Sequence, residues 1–167
     1  MDEVVNALGE RVERIEAPPY FADLIETQRT IHEFEICQHM AETFDTHWDN
    51  ISATLQPVIK HGQAISKDEY DNAIGVMGEV ASFFEEFFMD FDAILAPSSV
   101  GVAPLRSDGH TGDPVFSTLW TLAGLPCLTL PLLTSSAGLP IGVQLIGGQE
   151  EDDRLLRTAS WMLRELD

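Results

Sequence analysis

The sequence predicts an α/β fold, with helices packed on a mixed sheet that is an incomplete portion of a larger one. Three observations carry this. Amphipathic helical spacing dominates residues 1–91, short apolar runs bounded by turn residues dominate 92–167, and two of those runs are separated by pure turn chemistry. Three good strands and one doubtful one are few for runs this apolar, hence the expectation of a wider sheet.

Residues 1–8 read as a helix stopped by Gly9. Val12 and Ile15 within the charged stretch Glu10–Glu16 suggest a short edge strand, ended by Pro18-Pro19. From Tyr20 to Trp48 a single helix is expected, because Phe34, Cys37, Ala41, Phe44 and Trp48 recur at intervals of three and four. A shorter helix follows over Ser52–His61, limited or kinked by Pro57. Ser66-Lys67-Asp68-Glu69 is a capping box: the serine hydroxyl accepts from a first-turn amide and the glutamate reaches back. The helix it opens keeps its spacing through Tyr70, Ala73, Met77, Phe84 and Phe88 to about Asp90. Phe83, Phe84, Phe87 and Phe88 put aromatic surface on more than one side of its end, which calls for neighbours all round.

The strand candidates are Phe91–Pro97, Leu125–Leu133 and Ile141–Ile146, the last two forming a hairpin across Thr134–Gly138. Pro131 and Pro140 lack an amide donor, so bulges or strand ends belong there. Between the strands, Asp113 as N-cap, Pro114 at the first helical position and Gly124 as C-cap delimit a helix. An acidic first turn, Glu150–Asp153, opens the final helix, whose buried stripe is Leu155, Ala159, Met162 and Leu166.

The chain has 167 residues, one domain's worth, with 44% hydrophobic and 22% charged residues. No apolar run approaches the ~20 residues a membrane helix needs, and the acidic N-terminus does not read as a secretory signal. A cytoplasmic protein is expected. Acidic residues number 28 against 9 basic ones, for a net charge of −19, and the only lysines are Lys60 and Lys67. Such a surface repels phosphate backbones, which argues against nucleic-acid binding through a basic patch. It also suits a salt-rich cytosol, where counter-ions screen the self-repulsion. Cys37 and Cys127 are far apart in apolar contexts and are expected to be buried core residues.

Several pieces of the second half occur together in a specific order. They are Asp92-Ala93-Ile94-Leu95-Ala96-Pro97, Thr111-Gly112-Asp113-Pro114-Val115-Phe116, and Leu119-Trp120-Thr121-Leu122-Ala123-Gly124-Leu125-Pro126. Thr129-Leu130-Pro131 and Gly138-Leu139-Pro140-Ile141-Gly142-Val143-Gln144-Leu145-Ile146-Gly147 complete the series. In this order the chain resembles the C-terminal part of the amidase signature family. The resemblance is specific in the second half and diffuse over the first.

It implies hydrolysis or transfer of amide groups by a nucleophilic serine, a second serine in a cis peptide arrangement and a relaying lysine. In the family these lie in a glycine- and serine-rich N-terminal part with no counterpart here. Residues 1–167 are therefore expected to be the C-terminal portion of one amidase domain, with no catalytic residue of their own. A serine alcohol needs a base within hydrogen-bond reach and donors for the oxyanion. Neither S-x-x-K nor G-x-S-x-G occurs, and the pairs Ser98-Ser99 and Ser135-Ser136 lack the surrounding glycines.

What remains is substrate shape. Loops after strand ends line the crevice of an open α/β sheet, which makes Ser98, Ser99 and Val100 candidates for a pocket wall. Asp113 and Trp120 join them, although a helix cap and a core position are the simpler roles for those two. The implied partners are a small-molecule amide and a complementary N-terminal segment or subunit. The alternative is a free-standing, non-catalytic α/β binding module.

No cofactor or metal is called for. His32, Glu35, His39 and Glu42 share one helix face at metal-ligand spacing, but a solvated charged face explains them better. A cysteine-based dyad of His110 with Asp113 and Cys127 is rejected, since an apolar strand raises a thiol pKa instead of activating it. Gly142, Gly147 and Gly148 match neither the dinucleotide nor the Walker pattern.

Overall fold

The computed structural model describes residues 1–166. In chain order its elements are α1 (Asp2–Leu8), α2 (Leu24–His39), α3 (Ala41–His47), α4 (Leu55–Ala64), α5 (Lys67–Asp90), β1 (Ile94–Pro97), α6 (Val115–Ala123), β2 (Cys127–Thr134), β3 (Pro140–Ile146) and α7 (Asp152–Leu166). The three strands form one sheet in the order β1-β3-β2, and both pairings are antiparallel. No helix among the described residues is long and apolar enough to cross a membrane.

The register sorts the sheet residues onto two faces. Ile94, Ala96, Gln144 and Ile146 share the face on which α5 and α6 pack, while Leu95, Val143, Leu145, Leu128 and Leu130 meet α1 and α7 on the other. Period-two alternation is the cause, since paired residues point the same way and neighbours along a strand point oppositely. The hairpin forms as expected, and the ladder breaks between Leu130 and Leu133, around Pro131.

The capping box at Ser66 is complete: the Ser66 Oγ accepts from the Glu69 amide at 3.2 Å, and the Ser66 amide donates to Glu69 Oε2 at 2.8 Å. The aromatic end of α5 finds its neighbours within the chain. Phe84 lies 5.9 Å from Phe21 and 5.8 Å from Trp120, ring centre to ring centre.

Four expectations need correction. Glu10–Glu16 is not a strand: Gly9–Arg11 makes a 3-10 turn and 12–18 run irregularly. Val12 packs against the α1/α7 core, but Ile15 is exposed and no strand pairs with the segment. The long helix from Tyr20 to Trp48 is broken. It opens as a 3-10 turn over Pro19–Asp23 and is interrupted at Met40, whose φ of −111° and ψ of 14° end α2. In one straight helix Phe44 would sit about 10 Å beyond Cys37. The break lets Phe44, Cys37 and Ile59 share one small core, which leaves Ala41 exposed. The helix around Pro57 spans Leu55–Ala64 and does not begin at Ser52: the proline limits it at its start, sitting in a first turn whose amides have no intrahelical acceptor. Finally, Cys37 is buried but Cys127 is exposed, at the start of β2, an edge strand of the sheet.

The helical half contains a buried charge. Glu33 is 4% exposed, accepts from Arg29 Nε at 2.8 Å and lies 2.5 Å from His61 Nδ1 on α4. Burial pushes its pKa up, but the hydrogen bonds and charges of Arg29 and His61 overcome this and hold it below the usual glutamate value. Gly62 makes the contact possible: a Cβ there would stand 2.7 Å from Cys37 Sγ and closer still to the Glu33 carbonyl oxygen.

Candidate functional site

β1 ends at Pro97, and the chain does not re-enter a regular α-helix or strand until Val115. This loop contains a 3-10 turn at Arg106–Asp108 and four of the five residues read as pocket candidates. Ser98 continues the line of β1, its amide donating to the Gly142 carbonyl at 3.2 Å. The Ser98 side chain occupies the space above Gly142, where a Cβ would collide with it and with Thr129 Cγ2 at 2.6 Å. A glycine is needed there because two side chains meet directly over it. Ser99 Oγ donates to the Gly101 carbonyl at 2.7 Å, which turns the loop outward and leaves Val100 66% exposed.

At the other end of the loop the capping differs by one position from the expectation. Pro114 occupies the cap of α6, and Asp113 Oδ1 accepts from the Val115 amide at 2.9 Å. The aspartate still satisfies a first-turn donor, the work an N-cap does. Gly124 closes α6 in the left-handed conformation, φ 66°, as its position suggested. Trp120 packs with Phe84 in the core between α5 and α6.

The two ends of the loop are tied together by Gln144, which was not singled out as a site residue from the sequence. It is 3% exposed, and its Nε2 donates to the Pro97 carbonyl at 2.8 Å and to the Phe116 carbonyl at 2.6 Å. The available signal was a lone amide in the apolar run Ile141–Ile146. A buried amide must find partners, and these two are its partners.

A cavity of 860 Å³ lies elsewhere, between α1, α7 and the edge of β1. Leu8, Arg11, Ile15, Phe91, Leu95 and Trp161 are among its walls, and none of the five candidates lines it.

Each of the two lysines has another partner. Lys67 pairs with Asp71 along α5, and Lys60 lies over the Trp48 ring. Among the described residues no three His, Cys, Asp or Glu side chains converge as a metal site. Glu35, from the helix face considered for one, accepts instead from the Tyr70 hydroxyl at 2.9 Å. Cys127 is exposed as a residue, yet its immediate surroundings desolvate the sulfur enough to push the thiol pKa up. That is the wrong direction for a nucleophile.

The amidase family model matches residues 13–156. Over 85 residues the chain is 44% identical to one subunit of the glutamyl-tRNA(Gln) amidotransferase of Neisseria meningitidis, a match covering 48% of this chain and 18% of that protein. Among solved structures, one described as an amidase superposes with a TM-score of 0.82 at 22% identity, covering 99% of this chain and 40% of the other. The corresponding amidotransferase polypeptide from Thermotoga maritima gives a TM-score of 0.65 at 25% identity, covering 93% and 36%. The chain belongs to the amidase family. It spans about two fifths of the solved chains it resembles and a smaller share of its curated relatives. Its α/β fold is that of a partial amidase domain.

Proposed function

We propose that residues 1–167 act as the C-terminal part of an amidase domain that hydrolyses a carboxylic amide to acid and ammonia. The serine nucleophile and its lysine are supplied by residues outside this sequence. Residues 1–167 contribute scaffold and one wall of the substrate pocket, built from Ser98, Ser99, Val100 and Asp113, with Trp120 of α6 packing that helix against Phe84 of α5. The observation that carries this reading is the superposition of 99% of the chain on 40% of an amidase. It is supported by a sheet whose outer strands, β1 and β2, each pair on one side only among the described residues.

On this reading the chain alone lacks the two requirements of serine chemistry, a paired base and preorganised oxyanion donors. The purified chain, offered glutamine, an aliphatic amide and an aryl amide, is expected to release no ammonia above buffer. Turnover by the isolated chain overturns the reading.

A free-standing binding module is the second reading. It is favoured by an interior in which no described buried side-chain nitrogen or oxygen lacks a hydrogen-bond partner. The two part on one result: a complementary N-terminal amidase segment, expressed separately and mixed with this chain, restores turnover under the first and leaves it absent under the second.

A further inference from the structure

We propose that Gln144 is a positioning residue that sets the spacing between the two ends of the 98–114 loop, and so the shape of the pocket wall. The assignment of a pocket wall to this loop rests on the amidase reading above. The tie itself rests on geometry alone.

Gln144 sits on β3, the central strand of the sheet, and is paired on both sides, with Ala96 of β1 and Thr129 of β2. The backbone it hangs from belongs to the one strand of this sheet that is flanked on both sides among the described residues. Its side chain reaches out from that anchor and gives Nε2 to carbonyls on either side of the loop, Pro97 where the chain leaves β1 and Phe116 in the first turn of α6. An irregular segment of this length has many accessible shapes, and pinning both ends to one rigid point removes most of them. Ser98, adjacent to one pinned carbonyl, and Asp113, three residues before the other, inherit that fixed separation. A hydrophobic residue at 144 would fill the space but leave two carbonyls without this donor, whereas glutamine supplies both bonds from one amide.

A residue that only stabilises the fold and one that positions this loop differ in where their loss is felt. Gln144→Met keeps an unbranched side chain of similar length and removes the donors. Hydrogen exchange is read at the Ser98 and Ser117 amides, which donate to the Gly142 and Pro114 carbonyls at the two loop ends. In Q144M these amides are expected to exchange at least about tenfold faster, beyond any change in α5. If they keep their protection, or rise only in step with α5, the proposal is overturned. A second measurement needs no variant: in the unaltered chain both Nε2 protons of Gln144 should exchange about a hundredfold slower than those of an exposed glutamine. Exchange at the rate of an exposed amide overturns it equally. Neither readout depends on amide turnover, so the tie can fail while the amidase reading stands, and the reverse.

Discussion

Around α5, rings from several segments meet one another: Phe21 from the turn before α2, Trp120 from α6, and Phe83, Phe84, Phe87 and Phe88 from α5 itself. In the sheet the situation is reversed. β3 is flanked on both sides, but β1 and β2 each present an edge with no strand neighbour among the described residues, and Cys127, Thr129 and Pro131 are exposed along β2. The helical half supplies its own neighbours, and the sheet half leaves places for them. An unpaired apolar edge is a liability in an isolated protein. On the proposed reading, the neighbours supplied from outside this sequence belong at the sheet edges.

Four perturbations sharpen that contrast. Phe84→Ala removes the ring at the centre of the helical half, 2% exposed and packed against the rings of Phe21, Phe83, Phe87, Phe88 and Trp120. It is expected to cost about 3–5 kcal/mol in urea denaturation. A loss under about 1 kcal/mol would mean the helical core is not closed.

Gly62→Ala tests the closeness of α2 and α4. Helix propensity alone favours alanine by about 1 kcal/mol, yet a Cβ at Gly62 meets the Glu33 carbonyl and Cys37. A net loss of about 1–3 kcal/mol is therefore expected. The control is Gly75→Ala in α5, where a Cβ meets nothing within 4 Å, and a gain of roughly 0.5–1 kcal/mol is expected. Equal signs for the two glycines would contradict the packing.

The Glu33 cluster predicts an acid dependence. Its pKa is lowered in the folded state, so its stabilisation is present above the unfolded glutamate pKa of about 4.3 and is lost as pH falls through the folded value. Glu33→Gln should cost about 1–2 kcal/mol at neutral pH, a modest figure because Arg29 and His61 are themselves about half exposed. The difference from the unaltered chain should shrink in urea melts carried into acid. A difference that stays constant down to about pH 2 contradicts the ion-pair account.

The smallest expected effect concerns the net charge of −19. If the acidic surface suits a salt-rich setting, the melting midpoint rises on the order of 5 °C between low and molar salt. A flat series removes that idea.

Features that depend on residues close in sequence are legible in the sequence itself. The capping box at Ser66, Gly124 closing α6 and the hairpin across Thr134–Gly138 each need only a few neighbouring residues. What escaped depends on contacts distant in the chain. No proline or glycine marks the break at Met40, which answers to the packing of Phe44 with Ile59. The burial of Glu33 has no local signal, because one of its two partners, His61, lies 28 positions away. Cys127 looked like core because its neighbours in sequence are apolar, and only the strand order makes it an edge. The candidate site divides the same way. The loop was recognisable from where β1 ends, whereas the Gln144 tie, 47 residues from Pro97, was not.

The most direct test of the sheet as one flank of a wider one is residue-resolved hydrogen exchange on the isolated chain. In β1 and β2, amides that point away from β3 should exchange near the rate of an unstructured peptide, while those donated to β3, and the β3 amides themselves, stay protected. Protection of the outward amides to the same level as β3 would mean that the edges are already covered, and the account of a partial domain would be wrong.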